Sequence, residues 1–146
     1  MIRLLESTLS QALVERVTTN PSDNKQDHMQ KVNLSEKLAL FREFWSPKAV
    51  GAVNDFEVKL VKLKGEFVWH SHEVEDELFL VLKGTLRMQF RDREVVVSPG
   101  EFIIVPHGIE HRPVADEEAH VLLLEPGSTA NTGNAGGDRT REVEWI

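Results

Sequence analysis

The chain has 146 residues, enough for one ordinary domain around one core. A hydrophobic share of 40% and a charged share of 28% fit a soluble globular protein rather than a disordered one. A net charge of −7 argues against a nucleic-acid surface or docking on anionic lipid, and the absence of cysteine excludes disulfides, thiolate metal sites and cysteine nucleophiles. At the N-terminus Arg3 and Glu6 stand without an apolar run ahead of a small-residue cleavage site, so no secretory leader is expected. No stretch approaches the ~20 apolar residues of a membrane helix. Together with the lack of cysteine, this makes a cytoplasmic location the expectation.

Residues 2–17 place Ile2, Leu5, Leu9 and Leu13 at helical spacing, the pattern of a short amphipathic helix. The polar stretch that follows carries Pro21 and reads as a linker. The domain reading is therefore residues 1–30 as N-terminal helix and linker, and 31–146 as a compact domain with an irregular C-terminal tail. Asn33 and Glu36 form a helix-start signature, with Leu34, Leu38 and Phe41 on one face, which predicts a helix over about 34–44.

From Pro47 onward the pattern turns β-rich. The runs FEVKLVKLK, EFVWHSH, ELFLVLKG, TLRMQF, REVVVS, EFIIVP and HVLLLEP follow at close spacing. Turn signals at Gly65, Gly84, Pro99-Gly100, Gly108 and Pro126-Gly127 divide most of them. Many short strands without intervening helices predict a mainly β sandwich or barrel, with the jelly roll among the usual solutions. Phe79 and Val81 share the parity of Glu77 and should line the interior, as Val68 should with His70. On the next strand either Met88 and Phe90 or Arg87 and Gln89 face inward. Leu78, Leu80 and Leu82 are apolar on the opposite parity, so something must cover the outside. A second subunit in a homodimer is the expected cover, with the 34–44 helix and the N-terminal arm as the other solutions.

The chemistry concentrates in His70-Ser71-His72, where residues two apart on a strand turn their imidazoles to one point. Glu77 opens the next run and His111 follows a separate turn, PHGIEH. Three neutral nitrogens and one carboxylate suit one divalent transition metal, with Mn, Fe, Co, Ni, Cu and Zn all admitted. His107, Glu110, His120 and the acidic loop of Glu73, Glu75 and Asp76 are expected to shape turns and surface instead.

The spacing reads Gly65, four residues, His70-x-His72, four residues, Glu77, six residues, Gly84. It is followed by Gly100, five residues, Pro106-x-Gly108, two residues, His111, three residues, Ala115. Both stretches resemble the two sequence motifs of the cupin superfamily. They depart from it by one residue between Gly65 and His70, and by Ala115 where the family has Asn. The resemblance extends over about 48–126 and implies a double-stranded β-helix, the cupin jelly-roll barrel, here with short N-terminal helices. It also implies metal ligation by His70, His72, Glu77 and His111. The wording is similar to small one-barrel cupins often labelled mannose-6-phosphate-isomerase-like, although fold does not fix function. Cupins of this shape include dioxygenases, decarboxylases and isomerases, so the expectation is an enzyme acting on a small oxygen-rich metabolite. The alternative is a non-catalytic, metal-dependent small-molecule binding or sensory module.

Overall fold

The computed structural model describes residues 29–146. The helix expected over 2–17, and most of the linker after it, lie outside the described residues. Val32–Ile146 forms one compact unit.

Its first element is a short helix, α1 (Leu34–Leu38), capped as its sequence predicts: the Asn33 side chain accepts from the Glu36 N–H at 3.1 Å. The helix stops well short of residue 44. Phe41 leaves it to become buried, and Phe44 forms an isolated bridge to Lys62, which needs extended chain. Eight strands follow: β1 (Lys48–Val53), β2 (Phe56–Glu66), β3 (Glu77–Lys83), β4 (Leu86–Phe90), β5 (Glu94–Val97), β6 (Phe102–Val105), β7 (His111–Pro126) and β8 (Glu144–Trp145). They form one sheet in the order β5-β4-β7-β2-β1-β8, with β3 pairing both β7 and β6. The ladder does not close into a ring, but the arrangement is that of a cupin jelly roll.

β7 organises the molecule. Its first part, from His111 to Val114, pairs with β4, and its later part, up to Leu124, pairs with β3. Both parts also pair with β2, across a register shift between Leu63 and Gly65. Because β7 turns around the barrel in this way, His111 and Glu125 both reach the end at which β3 begins. The middle of β7, near Ala115 and Ala119, lies at the opposite end. There Gly84 joins β3 to β4 at a φ of 76°, and a Cβ would stand 2.6 Å from the Glu118 oxygen. Only glycine fits that turn.

Alternation sorts the strands into two faces. Val61, Leu63, Phe79, Val81, Leu86, Met88, Val97, Val121 and Leu123 fill the interior. This settles the parity of β4: Leu86 and Met88 are buried, whereas Arg87 faces out to ion-pair with Glu94 and Asp116. On the outside, Val50 and Leu60 pack with Phe41, and Leu34, Leu38, Leu82, Leu122 and Ile146 close over them. The helix region and the chain's last residue thus cover this part of the outer face.

Three expectations need correction. Gly65 does not divide two strands: it lies inside β2, opposite Ala115, at the register shift. EFVWHSH is not a regular strand beyond Glu66; among its later residues the Phe67 N–H donates to the Pro113 carbonyl at 3.0 Å and His70 forms an isolated bridge to His111. Without regular alternation, Phe67 is the buried residue and Val68 is only half-buried. Within the C-terminal tail, regular structure is confined to a 3-10 turn at Gly133–Ala135 and the two-residue β8. β8 pairs in parallel with β1, Lys48 Nζ donates to Glu144 at 2.7 Å, and Thr129 and Thr132 are buried.

Candidate metal centre

The four predicted donors meet. His70, His72, Glu77 and His111 are all buried, and one donor atom from each lies within 4.8 Å of the others. Glu77 arrives as the first residue of β3 and His111 as the first of β7. His70 is fixed by reciprocal main-chain hydrogen bonds with His111, at 3.0 and 2.9 Å. His72 is held from the tail, where Asn134 exchanges hydrogen bonds with the Ser71 main chain at 2.8 and 3.0 Å. Gly133 lies so close over this segment that a Cβ would collide with the Ser71 carbonyl oxygen and stand 3.1 Å from the His72 ring. The second expected turn is similarly braced: Asp76 accepts from the His107 N–H and pairs with its ring, while Glu110 pairs with Arg91.

The ring orientations are set by the backbone. Nδ1 of His70 lies 2.9 Å from the Val68 carbonyl oxygen, and Nδ1 of His111 lies 2.9 Å from that of Ile109. A carbonyl can only accept, so each Nδ1 carries the hydrogen and, in the neutral ring, Nε2 keeps the lone pair. Nε2 of His72 and of His111 approach the same Glu77 Oε2, at 3.0 and 3.2 Å. The first approach lacks hydrogen-bond geometry, which leaves the buried His72 Nε2 without a partner.

Burial, then the neighbouring charge of His111, pushes the His70 imidazole down to about 4, so it is neutral near pH 7. Burial alone would raise the Glu77 carboxyl. The His111, His72 and Glu125 side chains around it outweigh burial and hold it below the ordinary carboxylate range. The result is an ionised carboxylate and three imidazole nitrogens converging on one point, with an orphaned buried nitrogen among them. That arrangement fits a divalent cation. The second-layer carbonyls on Nδ1 are the usual means of orienting such ligands.

Beside the cluster lies a cavity of about 40 Å³, lined on its apolar side by Trp45, Phe67, Phe79 and Leu123 and on its polar side by His70, Glu77, Glu125 and Asn131. Spacing gave no warning of Glu125 or of its partner Lys59. Both are buried, and Lys59 Nζ donates to Glu125 Oε1 at 2.9 Å. Their signal was a charged residue at an interior parity of an apolar strand. Burial, followed by contact with the Glu77 carboxylate, raises the Glu125 carboxyl well above its usual range, against the opposing pull of Lys59.

A jelly roll with three histidines and a glutamate converging inside it, in a cluster that could hold a metal ion, is a cupin architecture. The comparisons agree: the sequence matches the family described as Cupin_2, a cupin domain, over residues 58–125. A cupin-2 domain containing protein from Shewanella frigidimarina is 42% identical, covering 70% of this chain and 99% of that one, with a TM-score of 0.66. A Neisseria meningitidis protein is 30% identical over 66% of this chain and 99% of its own, with a TM-score of 0.62. The chain therefore belongs to the cupin-2 domain family. The Bacillus subtilis protein YdbB is 40% identical over 65 residues, and the chain spans 58% of that relative's length. Among the described residues, no helix is long and apolar enough to cross a membrane.

Proposed function

We propose that His70, His72, Glu77 and His111 hold one divalent transition metal, and that a small oxygen-rich metabolite chelates it from the adjoining cavity. The observation that carries this reading is the convergence of four buried donor groups at the mouth of a cavity that His70 and Glu77 also line. When bound, the metal supplies Lewis acidity and a template for paired oxygens. The chain's own residues do the rest. Trp45, Phe67, Phe79 and Leu123 exclude bulk water, which strengthens polar contacts within. Asn131 also lines the cavity, its side-chain amide held in place by donating to the Arg139 carbonyl and accepting from the Arg141 N–H, each at 2.9 Å. The space matches about three waters, so the chelating end of the ligand is small and any bulk projects outward.

Sugar-phosphate chemistry draws little support. Among the described residues lining the cavity there is no arginine or lysine. Of the four arginines near the motifs, Arg87 pairs with Asp116 and Glu94, Arg91 with Glu110, and Arg112 with Glu66 and Gln89, while Arg93 lies over the Phe90 ring. A dioxygenase or decarboxylase acting on an unphosphorylated substrate fits the lining better. The binding or sensory reading shares every residue of the site, and it is favoured if the ligand is recovered unchanged.

The test is spectroscopic. Protein loaded with Co(II), Fe(II) or Cu(II) receives a 2-hydroxy acid or a catechol, and its visible or paramagnetic spectrum should change, saturating at one equivalent per chain. No change at millimolar concentration with any such chelator would remove this reading.

The homodimer belongs to the same proposal. Phe102 and Ile104 on the outer side of β6 are 61% and 51% exposed, and among the described residues β6 pairs only with β3. An apolar face beside an open strand edge is suited to a second copy.

A further inference from the structure

Backbone geometry singles out one residue of the cavity. Trp45 holds a φ of 59°, a left-handed conformation that is an outlier for a bulky side chain. Asn54 also has a positive φ, but it sits in the turn between β1 and β2, where asparagine is expected. Trp45 lies instead between α1 and β1, beside the bridge from Phe44 to Lys62. That backbone suits glycine, so the aromatic side chain is kept for where it lies.

Several contacts fix it there. The Trp45 N–H donates to the Lys62 carbonyl at 2.8 Å, and the indole Nε1 donates to the Lys64 carbonyl at 2.9 Å. The register shift in β2 leaves Lys64 without a partner on β7. The Phe67 ring stacks on the indole, with centroids 4.8 Å apart and planes 20° apart. Phe67 in turn makes a T-shaped contact with the His70 ring at 5.5 Å. An aromatic series therefore runs from Trp45 to a histidine of the candidate metal cluster.

The indole also stands at the mouth of the cavity. Among the described residues that line it, all are buried except Trp45 and Asn131, which are half-buried. The Asn131 amide is already engaged by Arg139 and Arg141. The space beside the cluster matches about three waters, so the part of a ligand behind its chelating oxygens must cross this rim. Trp45 is the rim residue with a large apolar surface to meet it.

We propose that Trp45 is the specificity-determining residue of the cavity, selecting ligands whose chelating oxygens are carried by a flat, unsaturated ring. The inference rests on the metal reading above and narrows its ligand class. An indole meets another ring in offset or edge-to-face contact, which adds to the burial of apolar area. A saturated body of the same size gains the burial alone. The difference corresponds to about three- to tenfold in affinity.

The experiment titrates the Co(II)-loaded full chain with three acids that share one chelating end. Lactate carries no ring, mandelate a phenyl ring and hexahydromandelate a cyclohexyl ring. Dissociation constants from the visible spectrum should favour mandelate over hexahydromandelate by about three- to tenfold. Trp45→Leu should erase that preference, and Trp45→Phe should keep most of it. A second readout leaves residue 45 intact. With Trp69→Phe and Trp145→Phe, Trp45 is the sole indole. Mandelate added to this Zn(II)-loaded chain should then change its fluorescence more than hexahydromandelate does. Equal affinity of the parent for the two ring acids, or a preference that survives in Trp45→Leu, would overturn the inference, while a response to lactate keeps the metal reading standing. Fluorescence that is indifferent to saturating mandelate would overturn it even if Trp45→Leu does not fold. A Co(II) spectrum that responds to none of the three acids would bring down the metal reading and this inference with it.

Discussion

The two ends of the barrel interior are built on opposite principles. At one end, Val81, Leu86, Met88, Val97 and Ala119 pack with almost no exposure and no polar atom among their side chains. At the other, His70, His72, Glu77, His111, Lys59 and Glu125 are just as buried, and one histidine nitrogen lacks a partner. The apolar end supplies stability through burial. The polar end draws on that stability, holding buried polar and charged groups whose desolvation costs free energy. The difference shows that a small fold can keep a preorganised site only by concentrating its packing elsewhere.

This contrast can be broken by substitution. The largest effect is expected from His72→Ala and His111→Ala. Each should lose stoichiometric metal, a drop of about a hundredfold or more in affinity, while circular dichroism still reports a folded barrel. Metal content measured by mass spectrometry and unchanged in both would undo the site assignment. At the apolar end the outcome should be reversed. Leu86→Ala or Met88→Ala should cost about 2–5 kcal/mol in denaturant unfolding, with the metal-to-chain ratio unchanged wherever the protein is folded.

Acid should separate the ends further. The His70 imidazole sits at about 4 in the folded chain against 6.5 in its ordinary state. The unfolded chain therefore binds the proton first. His70's contribution in the metal-free protein is fully present above about pH 6.5 and is lost as pH falls towards 4, a change on the order of 3 kcal/mol. Urea midpoints of the metal-free protein that stay flat over this window would contradict the burial argument. His70→Leu should flatten the dependence. The smallest effect is expected outside the barrel, at Ile104→Lys. Unfolding stability should move by no more than about 0.5 kcal/mol, while light scattering at tens of micromolar shifts from dimer to monomer. A parent chain that is already monomeric at that concentration would remove the dimer proposal.

The donor set was legible because its information is local. His70 and His72 lie two apart, and Glu77 and His111 each follow a short turn, so spacing alone carries the pattern. Inward parity was equally legible for Phe79 and Val81, where a regular strand makes alternation a reliable ruler. The same ruler failed at Val68, because residues 67–69 carry no ladder and alternation has no meaning there. It could not choose between Met88 and Arg87, since a turn separates β4 from the strand whose parity was known.

By itself, then, the sequence determined the strand-rich class, the turns at Gly84 and Gly108, and the four residues that meet in the candidate metal cluster, since each depends on neighbours a few positions apart. Only the tertiary structure decided that Lys59 meets Glu125 and that Glu125 stands beside Glu77. It also decided that Gly133 and Asn134 brace the His72 segment, and that Phe41 and Ile146 cover the outer face. These contacts join residues tens of positions apart. Their pairing is set by strand register and by the turn of β7 around the barrel, and that geometry exists only once the whole sheet has formed.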